Sequence, residues 1–386
     1  GSPRHILIAL CVTVTVSYGA LYYAFTVLSS DIAEQEGWSL TVLTAGFSVA
    51  ILLNGLAAIP VGQMIQRRGP RGVMVAGAAL GTIGLLGIAA APSLPWFLAA
   101  LALTGTAASG LFYPPAFAAI THWFGEQRLQ AITALTLVAG FASTIFAPLV
   151  TQLSAVIGWR WTYVVLAAIL LVTALPLHAR VLTRPWHESA DDAHDRPDRE
   201  VLRSGRFILV ATGGTLVTLS MYASLVGLVP LLTARGLSLQ TAAWILGIGG
   251  AGQVLGRLFY PALDRRVTLH SRTTLVIMLV AVPTGLLALA PSLPAALLAL
   301  SVVAGVGRGL FTLVMATLVT DVWGPQRYAS LNGVLSAPLG LAGALGPVAG
   351  AVGASALGGY PAMFAALSII TIVGAALMYA ALSRVT

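Results

Sequence analysis

Two arginines stand in runs that are otherwise small and apolar: Arg257 in GQVLGRLFYP and Arg308 in GVGRGLFTLV. A guanidinium stays protonated at any physiological pH and offers five N–H donors in a planar fork that matches a carboxylate or a phosphate. The acids of the chain lie elsewhere. Asp31, Glu34 and Glu36 follow the first apolar run, and Glu126, Asp264 and Asp321 fall at the ends of later runs. Asp321 is thirteen residues from Arg308, about 20 Å along a helix at 1.5 Å per residue. The chemistry these residues fit is recognition of an anion that arrives from outside, held by charge-assisted and bidentate hydrogen bonds. Gln253, four residues before Arg257, and the hydroxyls of Tyr22, Tyr23, Tyr113 and Tyr222 can add neutral donors. For the tyrosines, ordinary packing between helices is the competing account.

Other chemistry finds no residues to carry it. No nucleophile–base set, phosphate-binding loop or metal-ligand spacing occurs, so no catalytic residue, metal or cofactor is expected. Cys11 is the only cysteine, which excludes an intrachain disulfide. GIGGAG, residues 247–252, fits the dinucleotide pattern GxGxxG, but no strand precedes it and it lies inside an apolar run. His122 in THWFGEQR is expected at a solvated mouth, and His178, His187, His194 and His270 at edge or non-membrane positions.

The elements that position the two arginines follow from composition. The chain has 386 residues, 58% hydrophobic and 8% charged, where soluble chains carry about 25% charged residues. It lacks the polar surface to face water. A helix needs about 20 apolar residues to cross the hydrocarbon core, and twelve such runs fit, near 6–28, 41–65, 73–91, 95–118, 130–156, 160–182, 206–233, 240–263, 272–291, 294–319, 328–353 and 360–383. The expectation is an all-α membrane protein. The formal charge of +8 comes from arginines at the ends of these runs, which is a topology signal and no footprint for nucleic acid. With the N-terminus placed in the cytoplasm, sixteen arginines fall on that side and only Arg160 and Arg235 on the other.

The polar stretch 183–206 reads as a cytoplasmic linker between two six-helix bundles, 1–182 and 207–386. The two halves repeat each other. PSLP at Pro92 returns at Pro291, GLF at Gly110 returns at Gly309, and Gly37, Gly125 and Pro148 match Gly236, Gly324 and Pro347, all at an offset of 199. Repeated bundles of this kind are the plan of a secondary transporter, with a site between the halves near the bilayer midplane. Pro148 and Pro347 are expected to kink the fifth and eleventh runs where the chain gates.

On these motifs the chain resembles the major facilitator superfamily. GQMIQRRGPR, residues 62–71, and ALDRR, residues 262–266, are similar to its signature loop, with Gln66 in place of the usual Asp in the first copy and Asp264 keeping the acid in the second. Within the superfamily the resemblance is to the monocarboxylate transporter family and its bacterial relatives, the oxalate/formate exchangers among them. It rests on residues 36–62, on GLFYPPAFAAITHWFGEQRLQA from Gly110, and above all on TDVWGPQRYASLNGV from Thr320.

The resemblance implies that Arg257 is the eighth-span arginine that binds carboxylate, and that Tyr113 faces the substrate. Gln253 stands where animal members have Asp, and Tyr23, with Tyr22 beside it, where they have a coupling lysine. Asp264, Arg265 and Arg67 would belong to the gating loops. The expected protein is a monomeric carrier of small organic anions, with or without a proton, in a bacterial inner membrane with both termini cytoplasmic. An exporter of drugs or hydrophobic metabolites on the same fold is the alternative; its usual mark, an acid buried among the spans, is missing.

Overall fold

The computed structural model describes residues 3–186 and 199–383. Every regular element among them is helical, as hydrocarbon demands of backbone that cannot turn to water for hydrogen bonds. In chain order these are α1 (Pro3–Tyr18), α2 (Ala24–Glu36), α3 (Leu40–Arg68), α4 (Pro70–Ala89), α5 (Leu94–Ala108), α6 (Tyr113–Phe124), α7 (Arg128–Ala139) and α8 (Ala142–Val181). Then come the short α9 (Arg199–Arg203), α10 (Gly205–Ala234), α11 (Leu239–Arg266), α12 (Leu269–Leu289), α13 (Pro294–Trp323), α14 (Tyr328–Ala356) and α15 (Tyr360–Leu382). Among the described residues ten stretches are long and apolar enough to cross a membrane, and the longest, Leu94–Val181, holds the fourth, fifth and sixth spans, which makes twelve. Residues 187–198 of the expected linker lie outside the described residues.

By their contacts the described residues form two units, 3–186 with 323–340 and 199–322 with 341–383. In the first, α4 packs on α5 and α8, and α3 on α5. In the second, α15 packs on both α10 and α12. Lipid is as apolar as leucine, so close approach of backbones at small residues takes the place of a hydrophobic driving force.

Three breaks depart from straight spans. The first span carries a π-turn, Gly19–Tyr23, between α1 and α2. A Cβ built at Gly19 would lie 2.2 Å from the Phe146 ring, so only glycine admits α8 there. The fourth span, expected to be continuous, stops at 109–112 and restarts as α6. The cause is Pro114–Pro115: with no N–H, they cannot donate to the carbonyls of Gly110 and Leu111, and the ladder fails there. Their counterparts in α13 are Leu313 and Val314, and that helix runs unbroken. Finally, Gly158 at φ 75° separates the fifth span from the sixth inside α8.

The repeat is written in the backbone as well. Gly37 and Gly236 adopt φ 69° and 84°, and Gly125 and Gly324 φ 51° and 86°, each pair 199 residues apart. The second pair opens matching 3-10 turns, Gly125–Gln127 and Pro325–Arg327.

Candidate functional site

The two arginines belong to neighbouring helices of the second unit. Helices α11 and α13 meet through glycine. A Cβ at Gly305 would lie 2.0 Å from the Gly249 carbonyl oxygen, one at Gly309 2.0 Å from that of Gln253, and one at Gly256 2.3 Å from that of Val306. Residue numbers climb together along this contact, so the helices run parallel. The register also sets Arg257, next to Gly256, level with Arg308, next to Gly309.

Their direction follows from periodicity. Each residue turns a helix by about 100°. Arg257 comes one residue after a glycine that faces α13, and Arg308 one residue before a glycine that faces α11. On parallel helices these opposite rotations land on the same side of the pair. The other side of α11 carries the exposed Leu255, Leu258 and Phe259.

Both arginines are withdrawn from that exposed surface: Arg257 is 9% exposed and Arg308 5%. Among the described residues the Arg308 guanidinium makes no hydrogen bond or ion pair, and its Nε and Nη2 are buried without a partner. A buried guanidinium lacking acceptors is costly, and in a membrane span such a residue marks a functional position by default. Gln253 joins this group through its backbone, pressed on Gly309. Tyr222 does not. It lies on α10, exposed on one edge and packed on Gly343 and Gly346 of α14.

The remaining tyrosines lie in the first unit and form two aromatic groups. Tyr18 stacks on Phe112 at 3.9 Å and meets Tyr113 at 5.0 Å, and Tyr113 stacks in turn on Phe117 at 5.1 Å. Tyr22 and Tyr23, both on the π-turn, meet edge to face at 5.2 Å, and Tyr22 also packs on Phe47 at 5.3 Å. Tyr113 thus stands at the first position of α6, immediately after the break.

Helix ends are clamped differently in the two halves. Arg272, placed by its sequence neighbours among the solvated arginines, is 4% exposed. One arm donates to Asp264 and the other to Asp321 Oδ2 at 3.0 Å, with the guanidinium 5.3 Å above the Tyr260 ring. This ties α11, α12 and α13 together. In the first copy Gln66 stands in the place of Asp264 and His122 in that of Asp321, and these two cannot form such a clamp.

The first unit uses an aromatic strap instead. Trp186 stacks on His122 at 3.9 Å and donates from Nε1 to the Gln66 carbonyl at 2.9 Å. Trp123 Nε1 donates to the Pro185 carbonyl at 3.2 Å, and Arg184 donates to the Trp123 carbonyl at 3.2 Å. The Gln66 side chain donates to the Gln326 carbonyl. Asp264 therefore sits in a clamp, whereas Arg67 and Arg265 are exposed at the ends of α3 and α11. Pro148 and Pro347 both lie inside helices, α8 and α14.

At the arginine-poor end, Arg160 donates to the carbonyls of Ala89 and Ala91 at 3.1 and 2.8 Å, and to Glu36 at 3.0 Å. Arg235 donates to the Ala288 carbonyl at 2.7 Å. Ala288 is 199 residues beyond Ala89, and Arg235 stands 199 residues beyond Glu36. Each half thus caps the same helix C-terminus with a guanidinium, where it satisfies orphan carbonyls and opposes the helix dipole. His178, expected at an edge, is fully buried with Nδ1 donating to the Met74 carbonyl at 3.2 Å.

Twelve apolar helices in two repeated halves define a multi-pass membrane protein. The Major Facilitator Superfamily profile matches residues 10–283 and 268–385, and the chain belongs to that superfamily. It is a transport protein. Monocarboxylate transporter 13 of Bos taurus is 27% identical over 351 residues, covering 86% of this chain and 79% of the relative. Among solved structures, the transporter FucP in its outward conformation superposes with a TM-score of 0.75 at 16% identity, over 98% of each chain. The human organic anion transporter MFSD10 (TETRAN) gives 0.69 at 18% identity, over 98% of this chain and 100% of that one.

Proposed function

We propose that this transporter moves small organic anions, mono- or dicarboxylates, by alternating access, with Arg257 and Arg308 receiving the cargo. The observation that carries this reading is Arg308: a guanidinium 5% exposed whose Nε and Nη2 have no acceptor. A carboxylate supplies both the charge and the lone pairs that are missing. The names of the relatives, a monocarboxylate transporter and an organic anion transporter, support the same class of cargo.

The acids of the described residues all lie near helix ends, which favours exchange or facilitated passage over coupling to a proton. We place the arginine-rich ends of the helices and both termini in the cytoplasm on the strength of the arginine asymmetry, and the protein in a bacterial inner membrane on its resemblance to the bacterial exchangers. A second reading, export of a hydrophobic metabolite, draws on the aromatic group of Tyr18, Phe112, Tyr113 and Phe117.

Counterflow of labelled carboxylates in proteoliposomes separates the two. Anion carriage predicts counterflow that falls at least tenfold in Arg257→Gln and in Arg308→Gln. Unchanged affinity in both variants removes it. Labelling of single cysteines introduced at helix ends, in a Cys11→Ser background, tests the orientation.

A further inference from the structure

The first half of α14, up to Gly340, belongs to the first unit and lies against α3. A Cβ built at Gly62 would stand 2.4 Å from the Ala329 carbonyl oxygen, one at Gly333 2.6 Å from that of Ala58, and one at Gly55 3.2 Å from that of Ala337. Residue numbers on the two helices run in opposite senses, so the helices are antiparallel. On α3 the contact extends from Gly55 to Gly62, about 10 Å at 1.5 Å per residue. Its lower end comes close to Arg67 and Arg68, at the arginine-rich end of the span. Small residues let the two backbones meet, and such a seam can part without drawing one side chain out of another.

One polar side chain is caught in this seam. A small cavity opens between α3, α14 and the start of α6, and Ala58, Gly62, Ser109, Pro115, Asn332 and Gly333 are part of its wall. Apart from Ser109 and Asn332 the wall is apolar. Asn332 is 7% exposed, and among the described residues its amide makes no hydrogen bond. The nearby hydroxyls are satisfied close by in the chain: Ser109 donates to the Thr106 carbonyl at 2.7 Å and Ser330 to the Arg327 carbonyl at 3.3 Å. The Asn332 amide, with two N–H donors and an acceptor oxygen, makes no such bond. A buried amide without a partner raises the free energy of whatever arrangement buries it.

We infer that Asn332 is a gating residue: it keeps the α3–α14 seam openable, because its amide is unpaired while the seam is shut and hydrated once the seam parts. A carrier that works by alternating access must open each face in turn. Glycine and alanine alone would hold this seam shut. The unpaired amide offsets part of that preference and brings the shut and open arrangements closer in population. The break at 109–112, through Ser109, and Pro114–Pro115 border the same cavity, so the fourth span yields next to the place where the seam moves. Asn332 acts on the seam and not on the cargo, and the role holds whatever the cargo is.

The test uses the full-length protein in nanodiscs, with no cargo added. Spin labels on Arg68→Cys and Gln326→Cys, both exposed positions, span the seam at its arginine-rich end in a Cys11→Ser background. Pulsed electron resonance then gives the ratio of short to long separations, shut to open. Asn332→Leu keeps the shape of the side chain and removes its polarity. It is expected to raise that ratio at least about fivefold, the worth of one unsatisfied buried polar group, with a melting temperature no lower than that of the wild type. Asn332→Asp buries a group that is harder to desolvate and is expected to lower the ratio at least as much. Gly333→Ala, whose methyl would stand 2.6 Å from the Ala58 carbonyl oxygen, is expected to lower it too.

Shifts of opposite sign in Asn332→Leu and Asn332→Asp support the inference, and a general loss of folding cannot produce that pattern. An unchanged ratio in Asn332→Leu overturns it. So does a lowered ratio in that variant, which would make the amide a fastener of the seam. A ratio that Asn332→Asp fails to lower overturns it as well. None of these outcomes touches the anion reading, which the counterflow experiment decides separately.

Discussion

Asp321 and His122 occupy equivalent places, 199 residues apart, and are held by opposite kinds of force. Asp321 accepts from the buried Arg272 at 3.0 Å, while His122 lies flat against Trp186 at 3.9 Å. One half closes its helix ends with charge and the other with aromatic surface.

Removing the charge should cost more than removing the ring. Arg272→Gln leaves Asp264 and Asp321 facing each other without their cation, and breaking a buried pair from one side costs about 3–5 kcal/mol. The two acids are 32% and 19% exposed, so water screens part of this and the lower end of the range is expected. Asp321→Asn, which keeps a neutral acceptor for Arg272, should cost roughly half as much. Thermal unfolding in a single detergent ranks the two variants; equal melting temperatures would contradict the clamp.

Trp186→Ala should act locally. It removes one stacking contact and one hydrogen bond to Gln66, together about 1–2 kcal/mol. Hydrogen exchange is expected to quicken in peptides covering the C-terminal turns of α3 and α6, with those around Arg272 unchanged. Faster exchange spread evenly over both units would show that the strap is not a local device.

The glycine contact between α11 and α13 makes a prediction with an internal control. Gly309→Ala puts a methyl about where the Gln253 carbonyl stands, 2.0 Å from it, so the helices must part and Arg308 must shift. Overpacking costs about 1–3 kcal/mol, and anion binding should fall at least tenfold. Gly250→Ala on α11, the other helix of the pair, meets nothing within 4 Å and should leave both stability and binding as they are. Equal behaviour of the two variants, by thermal shift with and without ligand, would sink the proposed register.

Arg160→Gln and Arg235→Gln each uncap a helix C-terminus. Burial lowers the Arg235 guanidinium from its ordinary value, but an arginine so shifted remains cationic at neutral pH and keeps its hold on the Ala288 carbonyl. A cap at a helix end is worth about 0.3–1 kcal/mol, rising to about 2 where partly buried. A double variant at these distant sites should lose the sum of the single losses, which chemical denaturation can measure.

Much of the architecture could be read from the chain alone, since hydropathy, arginine placement and a repeated offset are local or periodic signals. The break before Tyr113 was legible too, in the adjacent prolines, although the expected span runs straight through it. Other features had no local mark. Nothing in GALYY distinguishes a π-turn from an α-turn. Arg272 follows DRR and a histidine, so it resembles its solvated neighbours; what buries it is Asp321, 49 residues away. His178 and Met74 are joined across 104 residues, and Trp186 stands at the edge of a polar stretch whose composition says only linker. For the two arginines, the sequence shows only that they stand in apolar runs with the acids at the ends of other runs. Their shared level and side required knowing which glycines touch.

The prolines at 114 and 115 have one more consequence. A helix is stiff because every rung of its hydrogen-bond ladder resists bending, and the fourth span has given up two adjacent rungs where its counterpart α13 keeps them all. Under equal load the first bends at a fixed point while the second stays rigid and keeps its guanidinium aimed. Compliance and aim are thereby assigned to different copies of one repeated segment.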